Sequence, residues 1–201
     1  MLFEGEALMK KMGLAIAAVL FISALCSMAE AAMIWSDGFE SGDFSAWTSA
    51  SGNWTMSGGN VHSGLKRAQV FGPCAADGDV LLLSRSLAGD KNVTLDYWYR
   101  VYKDLENDDF IFVEWTPNGL DWLALTTYSN IVANTDWQEA TFLLPSGADD
   151  NPLFEFRLRA KLNSGVASDC VYFDDFMLIP EPASVFLFFS CFFSAIVRRK
   201  H

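Results

Sequence analysis

Short runs of alternating apolar and polar residues fill the chain between residues 33 and 179, and none of them keeps the 3.6-residue spacing of a helix. Clusters of Gly, Asn, Asp and Pro separate the runs, as they do between antiparallel strands. Roughly nine or ten such strands in one domain predict an all-β fold, an antiparallel β-sandwich. The clearest strands are predicted at residues 79–87, 93–101, 110–115, 122–127, 137–144, 153–161 and 169–179.

The N-terminal end has the pattern of a secretory signal. Lys10 and Lys11 precede an apolar run at residues 12–26, and a small-x-small cleavage site follows at residues 29–31. We therefore expect a signal peptide over residues 1–32, with an N-terminal signal helix that is removed on export. The alternative is an uncleaved N-terminal anchor.

The C-terminal end has three parts. It consists of an uncharged apolar run at residues 183–197 between two short motifs, Pro180-Glu181-Pro182 and Arg198-Arg199-Lys200. Proline cannot continue a helix, so a hydrophobic helix is expected to begin after Pro182, and the basic cluster predicts a cytoplasmic far end. Because a full membrane span takes roughly 20 residues, the run is slightly short, and a buried C-terminal helix of the domain is the alternative.

This tripartite end resembles the PEP-CTERM protein-sorting signal of Gram-negative bacteria, over residues 180–201 only. The resemblance implies recognition by an exosortase, a transpeptidase-like membrane protease, and removal of the tail. It also implies a setting of exopolysaccharide or biofilm production. The protein is thus expected to cross the inner membrane and stay anchored there through its C-terminal helix. It would then reach the cell surface or the extracellular matrix.

The part between the two ends, residues 33–179, is predicted to be one domain, and it is strongly acidic. Five of the 14 Lys and Arg residues and four of the 25 Asp and Glu residues lie in the ends, which leaves 9 − 21 = −12. A charge of this sign argues against nucleic acid or an anionic lipid surface as partner. It suits solubility outside the cell, divalent cations or neutral glycans.

Two cysteines, Cys74 and Cys170, remain in this acidic part. An even pair in an exported protein predicts a disulfide, which would stabilise the fold by about 4 kcal/mol on the chain-entropy model. Two separate thiols are the alternative.

A series of short motifs spans nearly the whole acidic part. In chain order they are DGFESGDFSAW at 37–47, LDYWYR at 95–100, VEWTPNGLDW at 113–122, FEFRLRA at 154–160 and VYFDDF at 171–176. Their order resembles the jelly-roll β-sandwiches of the MAM and galactose-binding-like (carbohydrate-binding-module) superfamilies. The cysteine pattern of eukaryotic MAM domains is absent, so the resemblance implies the jelly-roll sandwich and not strict MAM membership.

In those families the first and last strands lie side by side and often share a structural Ca²⁺. The resemblance implies Glu40 and Asp174 as its ligands, with Asp43 and Asp175 as weaker candidates. Ca²⁺ takes about six to eight hard oxygen ligands, so several carboxylates in one place suit it. The alternative is that Glu40 and Asp174 cap turns or pair with Lys66 or Arg67.

The sequence also predicts the surroundings of two sets of acidic residues. Alternation with Phe176 and Leu178 predicts that Asp174 points into the sandwich, where a carboxylate needs a partner. The second acidic cluster is expected to be a solvated loop rather than a second cation site, and its members are Asp104, Glu106, Asp108 and Asp109.

Catalytic motifs are missing from the acidic part. Its one histidine, His62, lies in a Gly/Ser/Asn-rich loop and is expected at the surface. Glu114 alternates with two phenylalanines and is expected to face inward in a structural ion pair with Arg100 or Arg157. The dense acidic motif of sandwich glycosidases does not occur, so we expect no enzyme activity.

Tryptophan is the residue type most suited to sugar binding here, because an indole face stacks on apolar ring faces. All seven tryptophans lie in the acidic part, and most are expected in the core. Trp54, in a Gly/Ser loop, and Trp98, on the polar face of its strand, are the two expected to be exposed and to bind a ligand.

Three functions are open from the sequence. The favoured one is an exported, non-catalytic protein of the cell surface or extracellular matrix that binds polysaccharide. The second is a structural or adhesive surface protein, stabilised by Ca²⁺ and without a glycan site. The third is a glycosidase, which would need paired catalytic carboxylates.

Overall fold

Eleven β-strands form two antiparallel sheets in the computed structural model, which describes residues 32–163 and 169–180. A short 3-10 helix, Ser146–Ala148, follows the ninth strand. The strands are β1 (Trp35–Asp37), β2 (Ser49–Ala50), β3 (Thr55–Ser57), β4 (Arg67–Phe71), β5 (Asp79–Ser84), β6 (Thr94–Lys103), β7 (Phe110–Thr116), β8 (Leu123–Tyr128), β9 (Gln138–Leu143), β10 (Glu155–Lys161) and β11 (Cys170–Ile179).

The two sheets pack face to face as a sandwich, which confirms the predicted all-β jelly-roll class. Sheet A has the strand order β3-β4-β11-β6-β9, with β1 paired to the free part of β11. Sheet B has the order β2-β5-β10-β7-β8. Trp35 of β1 lies opposite Leu178 of β11, so the first and last strands are neighbours, as the jelly-roll resemblance implied.

The core lies between the sheets and is built by alternation along the strands. On β6, Leu95, Tyr97 and Val101 are buried, as the alternation of 93–101 predicted. Phe176 of β11 sits at the centre, 4.9 Å from Tyr97 and 5.2 Å from Trp47 between ring centroids. A fully buried side chain of this size stabilises a fold by roughly 1.5–3 kcal/mol.

Trp54 belongs to this core, so its predicted exposure is wrong. It is 5% exposed, its ring lies 5.8 Å from that of Phe173, and its indole N–H donates to the carbonyl of Asp79 at 3.1 Å. The Gly/Ser composition around Trp54 belongs to the flanking loops, while the residue itself directly precedes β3 and its indole reaches β5 of sheet B. Trp54 is therefore removed from the candidate ligand-binding residues.

The last strand carries an irregularity that changes which way its residues face. The register of β11 against β6 shifts between Asp174 and Met177, and Asp175 has a positive φ of 49°. Phe173 and Phe176 both reach the core across this bulge, although they are three residues apart. Asp174 pairs with Trp98 on the outer side of sheet A, so the prediction that it points into the sandwich is wrong.

The predicted disulfide between Cys74 and Cys170 is not formed, and both thiols are free. Cys170 is the first residue of β11 and lies opposite Phe71, whereas Cys74 stands beyond the end of β4 and contacts the Phe71 carbonyl at 3.9 Å. Burial raises the pKa of both thiols to about 11, so they stay protonated at neutral pH.

Both predicted end signals fall outside the described residues, except for Ala32 and Pro180, which are the first and last residues described. This applies to the signal helix, the hydrophobic tail helix and the basic cluster. Within residues 32–163 and 169–180, no helix has the length and hydropathy to span a membrane.

Candidate binding face

The outer surface of sheet A, on the side away from sheet B, collects polar and aromatic side chains. The residues of β6 between its core positions point there, and they include Trp98, Arg100 and Tyr102. Tyr172 of β11 lies opposite Arg100 on the same side. The polar-face position predicted for Trp98 is therefore confirmed, but its side chain is only partly exposed. Its role in ligand binding stays a prediction.

Residues 58–66, between β3 and β4, form a loop that folds over one part of this surface; we call it loop 58–66. The imidazole of His62 stacks on the indole of Trp98 with ring centroids 3.9 Å apart and an interplanar angle of 12°. Its edge meets Trp137, which precedes β9, at 5.8 Å. His62 is thus half-buried between two indoles, whereas the sequence predicted a surface position for it.

The rings continue across the sheet as one row, which we call the aromatic face: Trp98, His62, Trp137, Tyr172 and Tyr102. Trp137 lies 6.4 Å from Tyr172, and Tyr172 stacks on Tyr102 at 4.7 Å. Tyr102 is the most exposed ring of the row at 37%, whereas Tyr172 is only 4% exposed. Neighbouring rings are thus within 6.4 Å of each other along the whole row.

Two arginines support the row from the sides. The Arg67 guanidinium lies 3.3 Å from the centre of the Tyr172 ring, and its Nε and Nη1 donate to the Gly59 carbonyl and to Gln69 Oε1. Arg100 donates through Nε to the carbonyl of Asn134 at 3.0 Å. Arg67 therefore fixes both a ring and loop 58–66, which explains how a charged side chain can be almost fully buried.

Carboxylates hold loop 58–66 in place from below. Asp174 is fully buried, and its Oδ2 accepts the backbone N–H groups of His62 at 2.9 Å and Ser63 at 3.4 Å. Its Oδ1 accepts the N–H of Asp175 at 2.9 Å. Burial raises the pKa of Asp174 to about 6. Glu40 Oε1 accepts the N–H groups of Leu65 and Lys66, each at 2.8 Å.

Asp175 holds the side chains of the same loop. Its Oδ2 lies 2.6 Å from His62 Nδ1, and its Oδ1 accepts the hydroxyl of Ser63 at 2.8 Å. This is not the order of a Ser-His-Asp triad, because the serine hydroxyl is bonded to the carboxylate and not to the imidazole that would take its proton. The three groups serve to fix the loop.

The structure thus brings Glu40, Asp174 and Asp175 together around one loop and leaves Asp43 apart. Asp43 Oδ1 accepts the N–H of Ser45 in its own exposed turn. The groups that face Glu40 and Asp174 are mainly N–H donors, which hydrogen-bond to the carboxylates themselves. Ca²⁺ would instead need further oxygen ligands there. This arrangement does not fit a calcium ion unless loop 58–66 turns carbonyl groups inward. Calcium at this place stays a prediction.

A different trio of carboxylates is mutually close. Glu106, Asp109 and Asp169 place one oxygen each within 4.8 Å of one another. Asp109 and Asp169 are buried, so the prediction of a solvated loop is wrong for Asp109. A hydrogen bond shared with Asp109 raises the pKa of the exposed Glu106 to about 7. Asp109 also orders the chain, since its Oδ1 accepts the N–H of Asn163 at 2.8 Å.

Four members of the aromatic face other than Trp98 were missed in the sequence. Tyr102 has the same strand parity as Trp98, four residues further along, so extending the alternation one more pair would have found it. Tyr172 would follow from its outward place between Val171 and Phe173. His62 and Trp137 lie in loops, and no periodicity indicates their position.

Comparison with solved structures gives the same fold. The carbohydrate-binding module TmCBM61 in complex with β-1,4-galactotriose matches with a TM-score of 0.50 and 16% identity, over 72% of this chain and 94% of that one. A xylan-binding domain of carbohydrate-binding-module family 22 matches with a TM-score of 0.51 and 14% identity, over 77% and 98%. The K1 cleaved adhesin domain of Lys-gingipain from Porphyromonas gingivalis W83 matches with 0.50 and 14%, over 72% and 96%.

These identities show a shared jelly-roll fold and nothing finer. No protein-family model matches the chain, and no curated protein matches its sequence.

Proposed function

We propose that this protein is a non-catalytic polysaccharide-binding protein that uses the aromatic face of sheet A. The observation that carries the proposal is the continuous row of rings on one outer sheet surface, ending at the exposed Tyr102. Sugar rings present C–H groups on their faces, and these pack on aromatic rings with a gain of roughly 0.5–1.5 kcal/mol beyond the buried area.

Polar groups beside the rings would supply hydrogen bonds to sugar hydroxyls. Arg100 lies 5.6 Å from the centre of the Tyr102 ring, and Lys103 lies 5.4 Å from it. A row of rings with donors at its edge fits an extended neutral glycan, and the strongly acidic charge of the domain agrees with a neutral ligand.

The fold relatives support the ligand class. The similar modules are named for binding xylan or β-1,4-galactotriose. The setting is proposed from the chain ends: export across the inner membrane, processing of the tail by an exosortase, and residence at the cell surface or in an exopolysaccharide matrix. These parts of the proposal rest on the end motifs alone.

Affinity electrophoresis of the full chain in native gels with soluble xylan or β-1,4-galactan tests the proposal. Tyr102→Ala is expected to weaken retention about tenfold, because losing one stacked ring costs about 1.4 kcal/mol. Leu143→Ala is the matched control, since Leu143 is an exposed apolar residue on the outer side of sheet A but outside the ring row. Equal retention of all three proteins, or none for the wild type, would reject the aromatic face.

The second candidate is an adhesive surface protein without a glycan site. The fold similarity to the gingipain adhesin domain favours it. Adhesion of cells that display Tyr102→Ala distinguishes the two: an adhesive role independent of glycan leaves adhesion unchanged. Incubation of the wild type with xylan and galactan, with an assay for new reducing ends, tests the proposed absence of catalysis.

A further inference from the structure

The outer surface of sheet B carries a concentrated group of cations in an otherwise acidic domain. Phe156, Leu158 and Ala160 of β10 are buried in the core, so the residues between and beyond them point outward. Three of these are cationic, which is a third of the nine basic residues between 33 and 179. The outward residues of β10 are Glu155, Arg157, Arg159 and Lys161.

One buried carboxylate fixes two of the cations. Glu114 of β7 lies opposite Arg157, and its Oε2 accepts Nε of Arg157 at 2.6 Å and Nε of Arg159 at 3.0 Å. Its Oε1 accepts Nη2 of Arg159 at 2.7 Å. Burial opposes the charge on Glu114, but the bonds from Arg159 and Arg157 outweigh it and lower its pKa. The inward orientation predicted for Glu114 is wrong, while its ion pair with Arg157 is confirmed.

Aromatic rings hold the two guanidinium groups flat. The Arg157 guanidinium carbon lies 3.8 Å from the centre of the Trp122 ring, and that of Arg159 lies 4.1 Å from the centre of the Phe112 ring. A Cβ atom at Gly78 would come within 2.8 Å of Arg159 Cγ, so the chain before β5 also confines this side chain. Both guanidinium groups therefore have restricted positions without any ligand.

Several donors of these groups remain unused. Arg157 donates to the described part of the protein through Nε alone, and neither terminal nitrogen has an acceptor there. Arg159 uses Nε and Nη2 and keeps Nη1. About a fifth of each side chain is exposed, 19% for Arg157 and 20% for Arg159. One carboxylate between two guanidinium groups leaves one positive charge in excess, and Lys161 stands exposed beside it.

We propose that Arg157 and Arg159 form a second binding site, on the face opposite the aromatic face, for the carboxylate groups of an acidic, uronate-bearing polysaccharide. A planar guanidinium with two free terminal nitrogens matches a carboxylate in bidentate geometry. The flat strand surface, with Leu82 and Val80 beside the arginines, fits an extended chain. The domain charge of −12 opposes the approach of any polyanion, and it opposes a uronate chain, with one charge per sugar, less than a sulfated chain with more than one.

The test uses the full chain and two forms of one polymer, sodium polygalacturonate and its fully methyl-esterified derivative, in native affinity gels. We expect retention by the acid form only, and Arg157→Gln to weaken it about tenfold, as expected for one charge-assisted bidentate pair. Arg85→Gln is the matched control, because Arg85 is an exposed arginine outside this site and its loss removes the same charge. Arg85→Gln is expected to change retention less than twofold.

Three results would overturn the site: equal retention by the esterified polymer, equal weakening by Arg85→Gln, or stronger retention by dextran sulfate than by polygalacturonate. Arg157→Lys keeps the charge but loses the planar, two-pronged guanidinium group. It should bind about as weakly as Arg157→Gln, and it replaces that variant if Arg157→Gln does not fold. Retention by neutral β-1,4-galactan reports the aromatic face separately. Loss of neutral binding alone would reject the proposed function and leave this site standing.

Discussion

Both outer faces of the sandwich combine carboxylates, arginines and aromatic rings. They differ in which of these groups are used up by hydrogen bonds within the protein. On sheet A the carboxylates of Glu40 and Asp174 are bonded to backbone N–H groups of loop 58–66, and Tyr102 is the most exposed ring beside them. On sheet B the carboxylate of Glu114 is bonded to arginine side chains, and guanidinium donors remain. The chemical character of each face is therefore set by the side-chain groups that have no hydrogen-bond partner within the described part of the protein.

The largest effect is expected where a buried carboxylate holds the loop. Asp174→Ala leaves the N–H groups of His62, Ser63 and Asp175 without their acceptor. Each partly buried N–H group that loses its acceptor costs roughly 1–3 kcal/mol, so the variant should lose about 4 kcal/mol of unfolding free energy. Thermal unfolding by calorimetry measures the loss.

Glu40→Ala is the control for this variant, because its bonds to Leu65 and Lys66 are exposed and should contribute only about 1 kcal/mol. Equal losses in the two variants would show that burial of Asp174 does not distinguish them. That result would contradict a larger contribution of Asp174 than of Glu40 to the stability of loop 58–66.

Glu114→Gln is expected to have the next largest effect, about 2 kcal/mol, because a partly buried pair of guanidinium groups loses its counter-charge. The folded-state pKa of Glu114 is lowered, so its contribution is present above the ordinary value of 4.5 and is lost as the pH falls through the lower folded value. Denaturant unfolding of both proteins from pH 7 to pH 2.5 should show a constant difference that shrinks only at the acid end. A difference that grows at low pH contradicts the ion pair.

Calcium is expected to have a smaller effect than Asp174→Ala or Glu114→Gln. A calcium ion bound to Glu40 and Asp174 would compete for their carboxylate oxygens with the N–H groups of loop 58–66. At a free calcium concentration of ten times the dissociation constant, it would raise the free energy of unfolding by about 1.4 kcal/mol. Calorimetry of the full chain with chelator and with calcium measures this, and Glu40→Gln/Asp174→Asn should abolish the gain. A gain that survives there but disappears in Asp109→Asn would place the ion beside Glu106 instead.

The strand pattern could be predicted because alternation is a local property. Residues 93–101 and 153–161 correspond to β6 and β10 within a few positions. The pairing of β1 with β11 was instead implied by the jelly-roll resemblance. The orientation of Asp174 could not be predicted, because the bulge at Asp175 inserts a residue that parity does not count.

The aromatic face was predictable only where it lies on a strand. Trp98 was placed correctly from its neighbours on β6, whereas Trp54 was misplaced because loop composition was taken as exposure. The contact of His62 with Trp98 and the proximity of Asp169 to Glu106 join residues far apart in sequence. Such contacts depend on how loops cross the sheets, which a single sequence does not encode in any local pattern.

The place of the last strand has a mechanical consequence. β11 lies in the interior of sheet A, hydrogen-bonded to β6 on one side and to β4 and β1 on the other. If the protein is held by the chain that follows Pro180 while its faces grip a ligand, the pulling force runs along β11. Its bonds to both neighbours are then loaded together in shear, rather than opened one after another from an edge. Under such attachment, the first strand to carry the force would be the central strand of sheet A, not one at its edge.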